Sequence, residues 1–133
     1  MKTMQTNILL VEDDANLSTV LADYLHSKEY IVEIASNGKE AWDLILIKHY
    51  DLVVSDITMP KMNGFELLKL VRDQYPFLPV IMLSSKTGRD DIIRAYRLGC
   101  DDYVTKPFSM DILICKIEAI LRRCRVFWET EQV

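Results

Sequence analysis

Five short apolar runs, each four to six residues long, alternate along this chain with segments whose apolar residues recur at helical spacing. That alternation limits the possible fold more than any other feature. Runs so short, bounded by turn residues, read as strands buried on both faces of a sheet. A strand followed by a helix and a further strand returns to the same sheet in parallel, through a right-handed crossover. The expected architecture is α/β, a doubly wound five-stranded parallel sheet with five helices.

The first run, Asn7–Val11, leads through an acidic turn into a helix expected over 16–28, where Leu17, Val20, Leu21, Tyr24 and Leu25 form one apolar stripe. Residues 30–35 are β-branched and alternating and make the second strand. Asn37-Gly38 signals a turn before a helix at 39–48, with Ala41, Leu44, Ile45 and Lys48 on one side. Leu52–Ser55 is the third strand. A loop containing Pro60 runs to Gly64, and a helix bearing Phe65, Leu68, Leu70 and Val71 follows, its exit bracketed by Pro76 and Pro79. Residues 80–83 are the fourth strand, and 84–88 a polar loop. The helix Arg89–Leu98 stops at Gly99, a left-handed cap. Asp102–Thr105 is the last strand, and Ser109 caps a final helix that ends near Arg123.

Three of these strands end in chemistry. Glu12-Asp13-Asp14 follow the first, Asp56 the third and Lys106-Pro107 the fifth. The carboxyl ends of neighbouring parallel strands converge on one edge, where ligands of open α/β sheets bind. Three or more carboxylates and a lysine would then share a cleft, which is costly unless something cationic sits among the acids. Oxygen ligands with room left for water suit Mg²⁺. Taken singly, Asp56 reads equally well as a turn residue and Lys106 as a solvated side chain. Asp14 has two readings, as a metal ligand or as the start of the first helix, where negative charge is favourable.

At 133 residues the chain has room for one domain with its own core. Half of it is apolar and 27% charged, the balance of a globular protein. A net charge of −4 argues against a nucleic-acid-binding face. No apolar run approaches the roughly 20 residues of a membrane span, and the N-terminal residues lack a leader's apolar segment, so a cytoplasmic location is expected. Cys100, Cys115 and Cys124 have no metal-ligand spacing and read as reduced thiols, and His26 and His49 as surface residues. Phe65, Leu68 and Phe108 read as core.

Four motifs in order resemble the receiver domain of two-component response regulators: Val11-Glu12-Asp13-Asp14, Asp56-Ile57-Thr58-Met59-Pro60-Lys61-Met62-Asn63-Gly64, Met82-Leu83-Ser84-Ser85, and Gly99-Cys100-Asp101-Asp102-Tyr103-Val104-Thr105-Lys106-Pro107-Phe108. The resemblance implies a flavodoxin-like sheet of strand order 2-1-3-4-5, and a phosphoryl group accepted on Asp56 from a sensor histidine kinase. It implies Mg²⁺ held by Asp13, Asp56 and the Thr58 backbone carbonyl, with Glu12 acting mainly through water. Lys106 would face the phosphoryl oxygens as a point charge, and Ser84 would donate its hydroxyl to them. A cis peptide between Lys106 and Pro107 is implied as well. Such a protein catalyses its own phosphorylation and dephosphorylation and turns over no metabolite.

The same resemblance makes Ser84 and Tyr103 a switch, in which Ser84 moves toward the phosphate and the aromatic ring turns inward; the other reading of Tyr103 is a fixed, half-buried side chain. Within the OmpR/PhoB-type subfamily the fourth helix, fifth strand and fifth helix form a symmetric dimer held by salt bridges. By position Asp90 with Arg123 and Asp102 with Lys116 supply two of these, while Ile92 and Ile112 stand where a third charged pair is typical. Met110, Ile112, Leu113, Ile114, Ile117, Ile120 and Leu121 cover more than one stripe of the last helix, an excess that either meets a partner or packs within the monomer. Ser85 replaces the usual alanine or glycine, and with Thr58 it borders the route of the hydrolytic water. Residues 1–123 would be the receiver, and 124–133 a tail or the start of a linker to a DNA-binding output domain outside this chain, as Arg122-Arg123-Cys124-Arg125 hints by analogy.

Other classes fit less well. A haloacid dehalogenase-like phosphatase would carry a second aspartate two residues after the nucleophile, where this chain has Thr58. A flavodoxin-type module would need a Ser-, Thr- or Gly-rich loop where Glu12-Asp13-Asp14 repel a flavin phosphate. A pseudo-receiver that signals by contact alone has no use for Glu12, Asp13, Asp56, Ser84 and Lys106 together.

Overall fold

A computed structural model describes the backbone of residues 5–131 and the side chains of 5–124. The leader reading of residues 1–4 and the side chain of Arg125 lie outside the described residues. Strands and helices alternate as β1 (Asn7–Val11), α1 (Ala15–Ser27), β2 (Ile31–Ala35), α2 (Gly38–Ile47), β3 (Leu52–Ser55), α3 (Gly64–Gln74), β4 (Val80–Ser84), α4 (Arg89–Leu98), β5 (Asp102–Thr105) and α5 (Met110–Glu131). The strands form one parallel sheet in the order β2-β1-β3-β4-β5.

Successive strand residues point to opposite faces, so each central strand feeds two cores. Leu9, Val11, Val53 and Met82 face α2, α3 and α4, where Ala41, Ile45, Phe65, Leu68 and Ala95 meet them. Ile8, Leu10, Val54 and Ile81 face α1 and α5, where they meet Leu21, Leu25, Leu113 and Ile117. Burial on both sides explains why these strands are continuous apolar runs. The starts of α1 and α3 are capped by polar side chains: Asp14 accepts from the amides of Asn16 and Leu17, and Asn63 and Glu66 form a reciprocal capping box. Gly99 closes α4 in the left-handed region, with φ of 106°. Ser109 Oγ accepts from the Ile112 amide at the start of α5, as expected.

Two expectations are corrected, and one choice between readings is decided. Val20 is not part of the α1 stripe and is exposed; Ser18 and Ala22 are buried instead, beside Leu21 and Leu25. Ser18 tolerates this because its hydroxyl donates to the Ala15 carbonyl within the helix. The apolar excess of α5 packs within the monomer, since Leu113, Ile114, Ile117, Ile120 and Leu121 are all buried, whereas Ile112 is exposed. That helix covers the sheet and also lies beside α1, with Tyr24 Oη donating to Asp111 at 2.8 Å, so a wide arc finds contacts. Finally, α5 does not end near Arg123 but continues to Glu131.

The cysteines differ sharply in environment. Cys115 is exposed, Cys124 half-buried and Cys100 buried, and all three are free thiols. Burial, reinforced by Asp101 and Asp102, pushes the Cys100 thiol up to about 12, and burial also raises that of Cys124. Because the thiolate is the nucleophile, iodoacetamide at pH 8 should alkylate Cys115 first and Cys100 last, at least roughly tenfold more slowly. Peptide mass mapping over time checks the order; Cys100 reacting as fast as Cys115 would contradict it.

Candidate functional site

The sheet register builds the site. Val11 pairs with Ser55 across β1 and β3, and Ser84 with Thr105 across β4 and β5. The residues that follow these pairs, Glu12, Asp56 and Lys106, therefore leave the sheet on the same edge. Lys106 Nζ donates to Glu12 Oε1 at 2.7 Å and to Asp56 Oδ2 at 3.1 Å. The Lys106–Pro107 peptide is cis, as the resemblance implied. Asp56 Oδ1 accepts from the Ile57 amide at 2.6 Å, a donor invisible in the sequence because every residue but proline carries one. Ligand oxygens of Glu12, Asp13 and Asp56 all lie within 4.8 Å of one another.

Glu12 and Asp56 are buried, whereas Asp13 and Thr58 are exposed. Asp14 belongs to the helix start: its carboxylate is occupied by two amides of α1, and its own amide donates to Glu12 Oε2 at 3.1 Å. Ser84 is fully buried, and its Oγ accepts from the Lys86 amide at 3.1 Å while its hydroxyl is engaged with Tyr103. Tyr103 is half-buried, packs against the core and donates from Oη to the Lys86 carbonyl at 2.6 Å. Burial raises its pKa, against a hydrogen bond from Ser84 that lowers it.

The residues assigned to a dimer face are not brought together in the same way. Asp102 is engaged within the chain, accepting from Lys116 Nζ at 3.0 Å, the Tyr103 amide at 2.8 Å and Tyr96 Oη at 3.2 Å. Tyr96 carries no polar-cluster signal in the sequence, and its part in this network shows only once α4 lies beside β5. Asp90 and Arg123 are exposed, Ile92 is half-buried and Ile112 is exposed.

Burial holds the Glu12 carboxyl above its usual range, with Asp56 adding to the rise and the hydrogen bonds from Lys106 and the Asp14 amide opposing it. A raised carboxyl pKa means that the fold binds this proton more tightly than the unfolded chain does. Ionised Glu12 therefore costs stability near neutral pH, and the cost falls away as pH drops through the folded pKa toward the ordinary value of 4.5. Glu12→Gln removes the charge yet keeps an acceptor for Lys106. In the absence of divalent metal it should stabilise the protein by about 1 kcal/mol at pH 7 and by much less at pH 4. Urea unfolding at the two pH values measures this; no gain at pH 7 would show the charge to be well compensated.

Beyond its geometry the chain has recognisable kin. The family described as the response regulator receiver domain matches residues 8–118. This chain belongs to it. The receiver domain is 47% identical over 118 residues to the transcriptional regulatory protein RprY of Bacteroides fragilis, covering 89% of this chain and 50% of the relative. It is 41% identical over 120 residues to the regulatory protein VanRB of Enterococcus faecalis, covering 90% and 54%. Its fold matches the receiver domain of the Francisella response regulator 1452 with a TM-score of 0.85 and 34% identity, over 90% of this chain and 98% of that one. The chain thus spans about half the length of the curated relatives it matches, and nearly all of a solved receiver domain. No helix among the described residues is long and apolar enough to cross a membrane.

Proposed function

We propose that this receiver domain is the phosphorylation-controlled switch of a two-component transcriptional regulator, and that Asp56 takes a phosphoryl group from a phosphohistidine of a sensor kinase. The observation that carries this is the ammonium of Lys106 bridging Glu12 and Asp56, with Asp13 beside them. Carboxylates gathered at one strand edge around a lysine suit chemistry in which negative charge must be cancelled. The donor set is all oxygen and closely grouped, which fits Mg²⁺ with several waters kept. Asp13, Asp56 and the Thr58 carbonyl would hold it directly and Glu12 mainly through water. Bound there, the ion would neutralise charge on the phosphoryl oxygens.

The chain's own groups do the rest. An Asp56 carboxylate oxygen attacks phosphorus; the new P–O bond forms as the P–N bond breaks, and the imidazole departs with the electron pair. Lys106 stabilises the oxygens that carry the spreading charge, and Ser84 would turn its hydroxyl from Tyr103 toward another. Hydrolysis of the acyl phosphate resets the domain, and Thr58 and Ser85, both exposed, border the approach of water. The domain acts on itself and not on a metabolite.

The output would run through α4, β5 and α5. Ser84 and Tyr103 both contact the Lys86 backbone, so a change at the phosphate is felt at the loop that opens α4. A two-fold dimer on this face would use Asp90, Ile92, Asp102, Ile112, Lys116 and Arg123, and Lys116 would have to exchange its present partner Asp102 for the partner copy's. Residues 1–123 form the receiver in this reading, and 124–133 lead toward an output domain that binds DNA. The relatives' greater length, and the role of RprY as a transcriptional regulatory protein, support that arrangement, and the setting would be the cytoplasm. Incubation with acetyl phosphate and Mg²⁺ should give a single phosphoryl adduct by intact mass, absent in Asp56→Ala and absent with chelator. Adduct formation on Asp56→Ala would remove the assignment.

A further inference from the structure

Among the described residues, one cation takes no part in the site and is nevertheless heavily engaged. Arg72, on α3, has a half-buried guanidinium whose donors end almost entirely on backbone carbonyls. Nε and Nη2 reach the Gly99 carbonyl at 2.9 and 2.7 Å, and Nη1 reaches those of Leu78 and Pro76 at 2.8 and 3.0 Å. Nη2 also meets Asp101 Oδ2 at 3.3 Å, and the same carboxylate oxygen accepts from the Val80 amide at 2.8 Å. One side chain thus ties the end of α3, the start of β4 and the turn after α4 into a single knot.

The two ends of α4 are held very differently. At the carboxyl end, the Gly99 and Cys100 amides close on the Ala95 carbonyl, the Asp101 amide bonds the Val80 carbonyl, and Tyr96 Oη reaches Asp102. Gly99 also sits so close to Arg72 that an added Cβ would lie 2.9 Å from Nε. At the amino end, Gly88 offers no side chain to cap the helix. Between the ends, Ala95 is the one residue that α4 fully buries. Tyr103, through the Lys86 carbonyl, and Ser84, through the Lys86 amide, hold the loop before α4.

We propose that Arg72 makes the carboxyl end of α4 a fixed pivot, so that the helix moves by swinging its amino-terminal turn and not by shifting as a whole. The Lys86 contacts are where the site releases or holds that swing. Arg72 is in this sense a positioning residue. The link to the phosphate rests on the function proposed above; the unequal anchoring does not.

Amide hydrogen exchange on the unphosphorylated domain tests the pivot directly. Both the Ile92 amide, bonded to the Gly88 carbonyl, and the Gly99 and Cys100 amides are hydrogen-bonded, so an exchange difference reports local opening. Ile92 should exchange roughly tenfold or more faster than Gly99 and Cys100. Arg72→Ala should speed Gly99, Cys100 and Asp101 by roughly tenfold while changing Ile92 less than about twofold; Arg72→Lys, which keeps one cation, serves if the alanine variant does not fold. Equal exchange at the two ends of the parent helix, or equal acceleration at both ends in the variant, overturns the proposal. With beryllofluoride and Mg²⁺, NMR shift changes should concentrate at Lys86 to Ile93 and spare Gly99 to Asp101; comparable changes at both ends also overturn it. Failure of the fluoride adduct to form on Asp56, seen by ¹⁹F NMR, would count against the site reading and leave the exchange measurement to decide the pivot.

Discussion

Gly64→Ala should lower the stability of the domain by roughly 3 kcal/mol, about 10 °C in Tm for a chain of this size, and reduce phosphoryl uptake at Asp56 at least roughly tenfold in the molecules that remain folded. A Cβ added at Gly64 would collide with the Asp56 carbonyl oxygen and lie 2.7 Å from Ile57 Cα and 2.8 Å from Met82 Cε. The methionine end can move aside. The backbone cannot, because the Gly64 amide bonds the Ile57 carbonyl at 2.7 Å and the Asp56 amide is laddered to Val11. Relief of the clash must therefore displace Asp56 itself, which couples a packing defect to the chemistry. Gly88→Ala is the control, since its nearest atom would be Asp91 Oδ2 at 3.6 Å. Thermal unfolding of both variants checks the contrast. If Gly64→Ala melts within about 2 °C of the parent, the loop is softer than its contacts imply.

Lys106→Ala should have the larger effect on chemistry, slowing phosphoryl uptake by roughly 10²- to 10³-fold, as removal of a fixed charge aimed at a transferring group does. It should also destabilise the metal-free protein by roughly 3 kcal/mol at pH 7, because buried Glu12 and Asp56 would face one another without a counter-charge. The two partners of this cluster have opposite pH signatures. The Lys106 pKa is raised by its hydrogen bond to Glu12 and by Asp56, despite opposing burial, so its contribution is complete below the ordinary value and lost only as pH rises through the folded one. With the lysine gone, Glu12 is the group that responds. Its pKa is already raised, so part of the lost stability should return as pH falls from 7 to 5. Urea unfolding across that range, together with uptake from acetyl phosphate, gives both readings. A variant as stable and as quickly phosphorylated as the parent would refute the role given to Lys106.

The element order and most element limits are legible in the sequence because local rules govern them. Apolar runs doubly buried in the sheet, Asn37-Gly38 before α2 and the left-handed stop at Gly99 signal structure within a few residues of themselves. The acids at the end of β1, Asp56 and Lys106 are legible for a related reason: strand ends are predictable and parallel topology sends them to one edge. Sequence patterns mislead where phase or packing decides. Val20 and Ser18 exchange places because a modest rotation of α1 about its axis suffices, and a serine bonded to its own helix is cheap to bury. The end of α5 escapes the pattern because the residues after Arg123 carry no helix stop such as glycine or proline, while the shift in apolar spacing there resembles an end.

Side-chain identity alone specifies what stands at each strand end, and hence that a cation belongs among the acids. How those groups meet is a matter of folding in three dimensions, because the register of β1, β3, β4 and β5 turns residues 50 and 94 positions apart into neighbours of one ammonium. The folded chain likewise shows that Asp14 serves the helix and that the excess on α5 is consumed by α1 and the sheet. The Arg72 knot lies beyond any reading of the sequence. Its acceptors are mostly main-chain carbonyls, which every residue possesses, so nothing in side-chain identity announces where a guanidinium will find them.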